Sequence, residues 1–586
     1  MGIPSYFSWL VRHFEKHILR EGPPFDPVHQ LYLDFNCGIH PCVKSHPEYS
    51  VEQMCDGVVV YLNYIIQYVK PTELVFIAID GVAPVAKIKQ QRMRRYKAVK
   101  ENDELTCLKK QYGAEVLSKQ PDFNMISPAT EFMALLSAKI DHYCRTSQLR
   151  QIKIIFSDAT VPSEGEHKIL QMIKTQPLDK NCVIYGLDSD LIMLSLCTHR
   201  DNIALIREDN FMKNNQVDLA IDKYPFLNYF WIQALKELLF TLLVTEQEIT
   251  PLLKDRVNPT DLAILENGSE EESNFVQDRV IKDYIFVSFL LGNDFLPPCP
   301  SLKIRDGGIA RIICAYRYVL KNDGYLCQEN GYWNHMAFTH LITWLSQREE
   351  HDLKEQKKKR DYHMTSSRMH ACGVTAPVNY DEAVEQYQKV EHLWKDEINV
   401  FRSEWPQRYY QYFFHHCPDD EWQRESMISQ ICQEYLIGLE WNAMYYFDQC
   451  SDWYWFYPHD ATPLLTDLGS YLNQQNSLTV SRHIFTHSQP VKPLHQLMMI
   501  LPPQSHLLLP TVYHRYMLSD ESPLIHYYPQ DFELEYYGKR FRWEAHPKIP
   551  LIDPEELPIY LDHLDQQMTL TEQKRNCVGH PIVYQT

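Results

Sequence analysis

Residues 182–194 read CVIYGLDSDLIML, and the fold turns on them. Cys182 to Leu187 is apolar and β-prone, the composition of a buried strand, and it runs into Asp188-Ser189-Asp190. Side chains two apart on an extended backbone point the same way. Asp188 and Asp190 therefore leave together from the strand's carboxyl end, the edge at which open α/β sheets take their ligands. Two carboxylates in one small volume repel unless a cation or a shared proton intervenes. An isolated Asp-x-Asp is ordinarily a solvated turn or a helix cap. The other acids of this chain argue otherwise.

Upstream, residues 30–35 form a strand whose end carries Asp34, followed by Asn36, Gly38 and His40. Residues 73–79 form a continuous apolar strand ending in Asp80-Gly81. A third strand, 151–156, leads through Asp158, a turn residue, to Ser163-Glu164-Gly165-Glu166-His167-Lys168. Helical periodicity fills the intervals: Phe7, Leu10, Val11, Phe14, Ile18 and Leu19 share a face within 1–20, and Val51, Val58, Val59, Leu62 and Ile65 recur across 51–69. Strands alternating with helices predict an α/β fold with a mostly parallel central sheet flanked by helices. That sheet gathers Asp34, Asp80, Glu164, Glu166, Asp188 and Asp190 on one edge. Downstream, 279–291 reads as a buried helix stopped at Gly292, and Asp294 becomes the seventh carboxylate. Seven acids at strand and helix ends point to a metal site rather than to caps.

The opposite chemistry sits between them. AKIKQQRMRRYKAVK, residues 86–100, holds Lys87, Lys89, Arg92, Arg94, Arg95, Lys97 and Lys100 and no acid. Such a run is usually a solvated helix face. Directly after a strand-end Asp, in a chain of net charge −19, it points to a phosphate site beside the metals. The net charge itself argues against indiscriminate polyanion binding over the whole surface. From 346 to 378 the pattern breaks: QREEHDLKEQKKKRDYHMTSSRMHACGVTAP, residues 347–377, makes this stretch read as a charged linker. The metal and phosphate chemistry thereby falls in 1–345, and a second, largely helical region with an aromatic-dense core in 379–586.

At 586 residues, with 45% hydrophobic and 23% charged, the chain is an ordinary globular one of two or three packed regions. No apolar run approaches the ~20 residues that span a bilayer, and the N-terminus lacks the apolar core of a signal peptide. Tyr6 stands where a myristoylation motif wants Ser or Thr. The fifteen cysteines include no Cys-x-x-Cys pair, and Cys182, Cys197 and Cys314 lie in apolar segments. They read as reduced, buried thiols of an intracellular protein with no zinc knuckle. The cysteines do not separate cytoplasm from nucleus, and the cytoplasm is the expected compartment.

Taken together, MGIPSYFSWL, LYLDFNCGIHPC, IAIDGVAPVAKIKQQRMRRYK, SDATVPSEGEHKI, VIYGLDSDLIML and FLLGNDFLPPCPSLKI resemble the catalytic motifs of the Xrn family of 5′→3′ exoribonucleases. GLEW…DWYWFYP, PLHQLMMILPPQSHLLLP and SPLIHYYPQDFELEYYGKRFRWEA are similar to that family's second conserved region. The resemblance implies a PIN/flap-nuclease-like fold and a catalytic, metal-holding set of Asp34, Asp80, Glu164, Glu166, Asp188, Asp190 and Asp294, carrying two Mg²⁺ or Mn²⁺ ions. It implies that Lys87, Gln91, Arg94 and Arg95 bind the substrate's 5′-monophosphate, and that His40 stacks on a base opposite a second-region Trp, assigned to Trp441 with Trp453 as the alternative. There are departures: Ser163 and Ser189 replace a usual Gly and Ala, Ile437 replaces a Glu, and 458–463 reads PHDATP. The large cytoplasmic members carry extra C-terminal domains, so a compact catalytic core is expected.

The implied activity is processive degradation of decapped, single-stranded, 5′-monophosphorylated RNA by two-metal hydrolysis, in mRNA decay, by a monomer with no membrane partner. A 5′-flap endonuclease shares the first motifs and the carboxylates but not the GVAPVAKIKQQR block or the second region. A catalytically weak RNA-binding scaffold would have lost a carboxylate, and none is lost.

Overall fold

A computed structural model describes the chain except for residues 1–2, 4, 116–120, 148–151, 209–226, 245–269, 329–332, 372–376, 476–484 and 586. Its first part is built on one eight-stranded sheet. In chain order the strands are β1 (Leu19–Arg20), β2 (Gln30–Asp34), β3 (Leu74–Ala78), β4 (Lys153–Ser157), β5 (Cys182–Tyr185), β6 (Ile203–Glu208) and β7 (Leu227–Trp231). A separate two-residue ribbon pairs β8 (Leu534–Glu535) with β9 (His546–Pro547), and β10 (Ile582–Tyr584) returns to the sheet's edge beside β4. The spatial order is β1-β7-β6-β5-β2-β3-β4-β10. The five central strands are parallel; β1, β7 and β10 pair antiparallel. From β2 the chain winds outward through β3 to β4, then crosses back to lay β5 on β2's other side. The winding reverses between β2 and β5, and such a switch point opens a crevice at the strands' carboxyl ends.

The sheet forms because its strands are apolar on both faces, as buried parallel strands are. Every residue of β2, β3 and β5 is buried. Alternate residues feed two separate layers: Tyr32, Phe76 and Ile184 on one side, Leu31, Leu33, Val75, Ile77, Val183 and Tyr185 on the other. Helices cover both layers: α1 (Tyr6–Ile18), α2 (Asn36–Ser45), α3 (Val51–Val69), α4 (Val85–Gln111), α5 (Glu131–Thr146), α6 (Gly165–Lys174) and α7 (Asp190–Leu196). Each fully buried aliphatic or aromatic side chain contributes about 1.5–3 kcal/mol. Among the described residues no helix is long and apolar enough to cross a membrane, and every described cysteine is free. Cys182 and Cys197 are buried as expected, whereas Cys314 is half-buried.

The stretch 346–378 corrects its reading as a linker. Residues Glu349–Ala371 form a helix of 23 residues. It carries no apolar stripe, which hid it; it is held by ion pairs instead. Glu350–Lys354 and Lys357–Asp361 run along the helix, while Arg311 reaches Asp352 at 3.1 Å and Lys357 reaches Asp396 at 2.6 Å. At its start Glu349 is buried and accepts the Leu465 and Thr466 N–H groups, both at 2.8 Å, capping the helix Leu465–Gln474.

Helix α4 ties the two parts together. Val82, Val85 and Ile88 pack in one cluster with Leu494, Leu497, Met498, Met499, Tyr513 and Tyr528. Arg92, 1% exposed, donates to the Met499 carbonyl at 2.8 Å, the Pro550 carbonyl at 2.9 Å and the Tyr527 carbonyl.

Candidate active site

The four strand ends deliver their acids to one place. Asp34, the last residue of β2, is buried, and Asp80 follows β3. Asn36 fixes Asp80 from two sides: its side-chain amide donates to Asp80 Oδ2 at 2.8 Å and its Oδ1 accepts the Asp80 N–H at 3.1 Å. Asp80 Oδ1 accepts the Gly165 N–H at 2.7 Å, which sets the start of α6 against β3. Gly165 is required here, because a Cβ would lie 2.5 Å from Asp34 Oδ1. Glu164 immediately precedes α6 and Glu166 lies in its first turn; both are buried. Asp190 opens α7, with Asp188 two residues before it. Asp294 follows the tight exit at Gly292, whose φ is +80° and where a Cβ would lie 2.6 Å from Pro298 N. Asp158, by contrast, caps its own turn, accepting from the Thr160 N–H at 2.9 Å and its hydroxyl at 2.6 Å.

Crowding makes the cluster electrostatically strained. Burial and the charges of Asp80 and Asp188 hold the Asp34 carboxyl well above its ordinary range. Burial and Asp190 do the same to Glu166, and burial and Asp294 push Asp190 up to about 7. Glu166 Oε2 and Asp190 Oδ1 are buried with no hydrogen-bond partner. Two donor groups, Asp34/Cys37/Asp188 and Glu164/Glu166/His167, each have ligand atoms within 4.8 Å of one another. Mutually repelling carboxylates with orphaned oxygens fit hard divalent cations, which take oxygen ligands.

The basic block is divided, which its sequence did not reveal. Lys87 lies among the acids, with Nζ 2.5 Å from Glu164 Oε2 and 2.8 Å from Asp294 Oδ2. Burial opposes its charge, but Asp294 and Glu164 raise its pKa well above that of a free lysine. Lys89 reaches the Tyr457 carbonyl at 3.0 Å, and Lys97 the Trp543 carbonyl at 2.7 Å. With Arg92 these are structural ties to the second region. Arg94 is exposed, Gln91 is buried with Oε1 unpartnered, and Arg95 makes only long bonds to Asn124, at 3.3 and 3.4 Å. Burial and the neighbouring Arg94 weigh against the Arg95 charge, and its Nε is buried without a partner.

His40 shares this corner. Burial, Lys44, Arg94 and Arg95 lower its pKa to about 3, so the ring is neutral near pH 7. Trp441 is not near any surface: it is 0% exposed, donates to the Asp452 carbonyl at 2.9 Å and stacks between Tyr445 and Trp455. Its place as a base-stacking wall is therefore withdrawn. Trp453 is half-buried, and its carbonyl accepts the Val85 N–H at 2.8 Å, at the start of α4.

Several site residues escaped the sequence reading. Tyr445 donates to Glu164 Oε1 at 2.9 Å from the far side of the chain, and stacks on His167 at 3.7 Å. Cys37 donates to Asp34 Oδ2 at 3.4 Å. Lys168 donates to the Ile79 and Asp158 carbonyls at 2.6 and 2.9 Å, tying α6 to the ends of β3 and β4. Only Cys37 and Lys168, neighbours of named acids, carried any local signal. Ser163 holds φ +91°, a conformation that favours glycine, while its N–H donates to the Val82 carbonyl at 2.7 Å.

Comparison with known proteins gives the family. Residues 1–209 match the XRN 5′-3′ exonuclease N-terminus, and residues 274–376 and 368–585 match the Xrn1 helical domain. The chain is 28% identical to the 5′-3′ exoribonuclease 2 of Gallus gallus, covering 100% of this chain and 72% of that protein. It is 29% identical to the 5′-3′ exoribonuclease 2 homolog of Drosophila melanogaster, over 100% of this chain and 73% of the relative. With 5′-3′ exoribonuclease 1 of Homo sapiens it shares 29% identity over 98% of this chain and 35% of that longer protein. On its motifs, its carboxylate-lined sheet edge and these matches, the chain belongs to the Xrn family of 5′→3′ exonucleases.

Proposed function

We propose that this protein is a 5′→3′ exoribonuclease that degrades single-stranded, 5′-monophosphorylated RNA processively, one nucleoside 5′-monophosphate at a time. The observation that carries the reading is the juxtaposition of seven carboxylates, four of them buried, with Arg94 and Arg95 of α4 and a neutral His40. Asp34, Asp80, Glu164, Glu166, Asp188, Asp190 and Asp294 would hold two Mg²⁺ or Mn²⁺ ions. Such ions, when bound, supply a water of lowered pKa and steady the charge on the leaving oxygen.

The chain's own residues do the rest. Asn36 and the Gly165 N–H fix Asp80, and the Tyr445 hydroxyl fixes Glu164, so the acids are set before substrate arrives. Arg94 and Arg95 grip the 5′-phosphate through paired hydrogen bonds. His40 stacks on the terminal base, with Trp453 as the facing wall. Water attacks the next phosphorus and the P–O3′ bond breaks, leaving a 3′-hydroxyl on the released nucleotide. The phosphate stays on the shortened strand, which thereby presents a fresh 5′-monophosphate to the same arginines. This product chemistry favours successive cuts. Decapped RNA carries such an end, so decay of decapped mRNA by a cytoplasmic monomer is the setting we favour.

The test is a time course on 5′-monophosphorylated and 5′-hydroxyl RNA of one sequence, with a 5′-flap DNA alongside. Mononucleotide release from the phosphorylated RNA, faster than from the hydroxyl RNA, is expected. Oligonucleotide products, or preferred cutting of the flap, would overturn the reading.

A further inference from the structure

A second group of cations, unused by the reaction, forms where three segments meet: the loop after Asp294, the helix Glu349–Ala371 and the turn at 536–539. In that turn the Lys539 N–H donates to the Tyr536 carbonyl at 2.9 Å, and Gly538 takes φ +70°. Two cationic heads lie over the bare glycine. A Cβ at Gly538 would be 3.7 Å from Arg360 Nη1 and 3.9 Å from Lys303 Nζ. The Arg360 guanidinium also packs on rings, 4.9 Å from the centroid of Trp394 and 5.9 Å from that of Tyr537, and its Nε is buried with no partner. Among the described residues neither the Lys303 nor the Lys539 ammonium has a hydrogen-bond or ion-pair partner.

The nearby acids are engaged elsewhere. Asp306 pairs with Lys359 at 3.5 Å, Glu544 with Arg305, and Asp460 with Lys89 at 3.4 Å. Asp396 takes Lys357 at 2.6 Å and Arg360 only at 3.5 Å. Burial, Lys539 and Arg360 push Lys303 down to about 8, so the cations are held close enough to oppose one another. Glu535 is likewise paired, with Lys548 at 3.2 Å, and like charges whose neighbouring acids are shared with other cations are relieved by an anion.

We propose that Lys303, Arg360 and Lys539 form a second phosphate-binding site, separate from Arg94 and Arg95, that takes a phosphate of the RNA backbone or of a free polyphosphate. Arg360, with its faces against rings, offers its edge for directional bonds, and the two lysines add point charges. The site is built from other segments than the 5′-phosphate corner: the loop after Asp294, the helix Glu349–Ala371 and the turn at 536–539, none of them part of α4.

Titrating inorganic pyrophosphate into the metal-free protein in EDTA, at fixed salt, reads the site by calorimetry. Lys303→Ala/Lys539→Ala is expected to weaken pyrophosphate binding about tenfold or more. The Arg94→Ala/Arg95→Ala background removes phosphate binding at the 5′ corner and is expected to keep the pyrophosphate binding that the lysine changes weaken. A long and a tetranucleotide 5′-hydroxyl RNA, followed by fluorescence anisotropy, separate the sources. A backbone site predicts that the lysine variant weakens the long RNA about tenfold while sparing the tetranucleotide. A free-phosphate site predicts loss of pyrophosphate alone. Thermal unfolding of the variant, and the single Lys539→Gln change, guard against misfolding; both should show an intact fold and Lys539→Gln a smaller loss in the same direction. Unchanged binding of both pyrophosphate and long RNA in the lysine variant overturns the proposal.

Discussion

At the carboxyl edge of the sheet, seven acids from distant parts of the chain converge on one volume, whereas along α4 seven cations from residues 86–100 disperse. Lys87 joins the acids; Lys89, Arg92 and Lys97 tie down the second region; Arg94 and Arg95 face His40. The difference is geometric. Parallel strands deliver their ends to a common edge, while a helix turns each successive residue by about 100° and so points neighbours at different partners. A run of like charge on a helix is therefore several sites rather than one.

The largest effect that would sharpen this contrast is expected at the converging acids. Asp188→Ala or Asp190→Ala should lower kcat by about two to three orders of magnitude, the loss typical of a removed charge-stabilising group. RNA binding and the fold should persist. Near-normal turnover in saturating Mg²⁺ would remove that residue from the site.

The dispersing cations should separate by assay. Arg92→Ala strands three carbonyls inside the interface and should destabilise the protein by about 3 kcal/mol or more. Chemical denaturation measures it, and the folded fraction should keep its preference for 5′-monophosphate ends. Arg94→Ala/Arg95→Ala should do the reverse. Stability should hold while kcat/KM on 5′-monophosphorylated RNA falls about tenfold or more, toward the value on 5′-hydroxyl RNA. Equal loss on both ends would make the pair a general backbone track. If Arg92→Ala instead erased end preference without loss of stability, the division of α4 would be wrong.

The acids also predict a pH response. Asp190, and more strongly Asp34 and Glu166, have folded-state pKa values raised by burial and by the carboxylates around them. A raised carboxyl binds its proton more tightly in the folded state, so the stability of the metal-free protein should fall as pH climbs from about 4 through about 7. Mg²⁺ or Mn²⁺ should recover that loss, and Asp190→Asn should flatten the profile. A melting temperature in EDTA that rises across this interval would contradict the crowding.

The smallest expected effect lies beside Glu164. Ser163→Gly relieves a left-handed backbone at φ +91° and should stabilise by about 1 kcal/mol, with activity unchanged. A drop in stability would mean that the serine side chain makes up for its backbone.

The sequence by itself determined the four strands that lead to the site, the carboxylates they carry and the family, because these are written in local patterns; β1, β6, β7 and β10 came only with the structure. Buried parallel strands are continuous apolar runs; Asp34 ends one, and Asp80, Asp188 and Asp190 follow theirs within two to five residues. The tertiary structure alone decided what depends on contacts between distant segments. The helix Glu349–Ala371 has no apolar period, and its ion pairs with Arg311 and Asp396 join positions far apart in the chain. Trp441 looked the same in sequence as Trp453, yet one is sealed between Tyr445 and Trp455 and the other reaches the start of α4. Tyr445 meets Glu164 across 281 positions. Periodicity registers which residues share a face of one element, and it carries no information about what that face will touch.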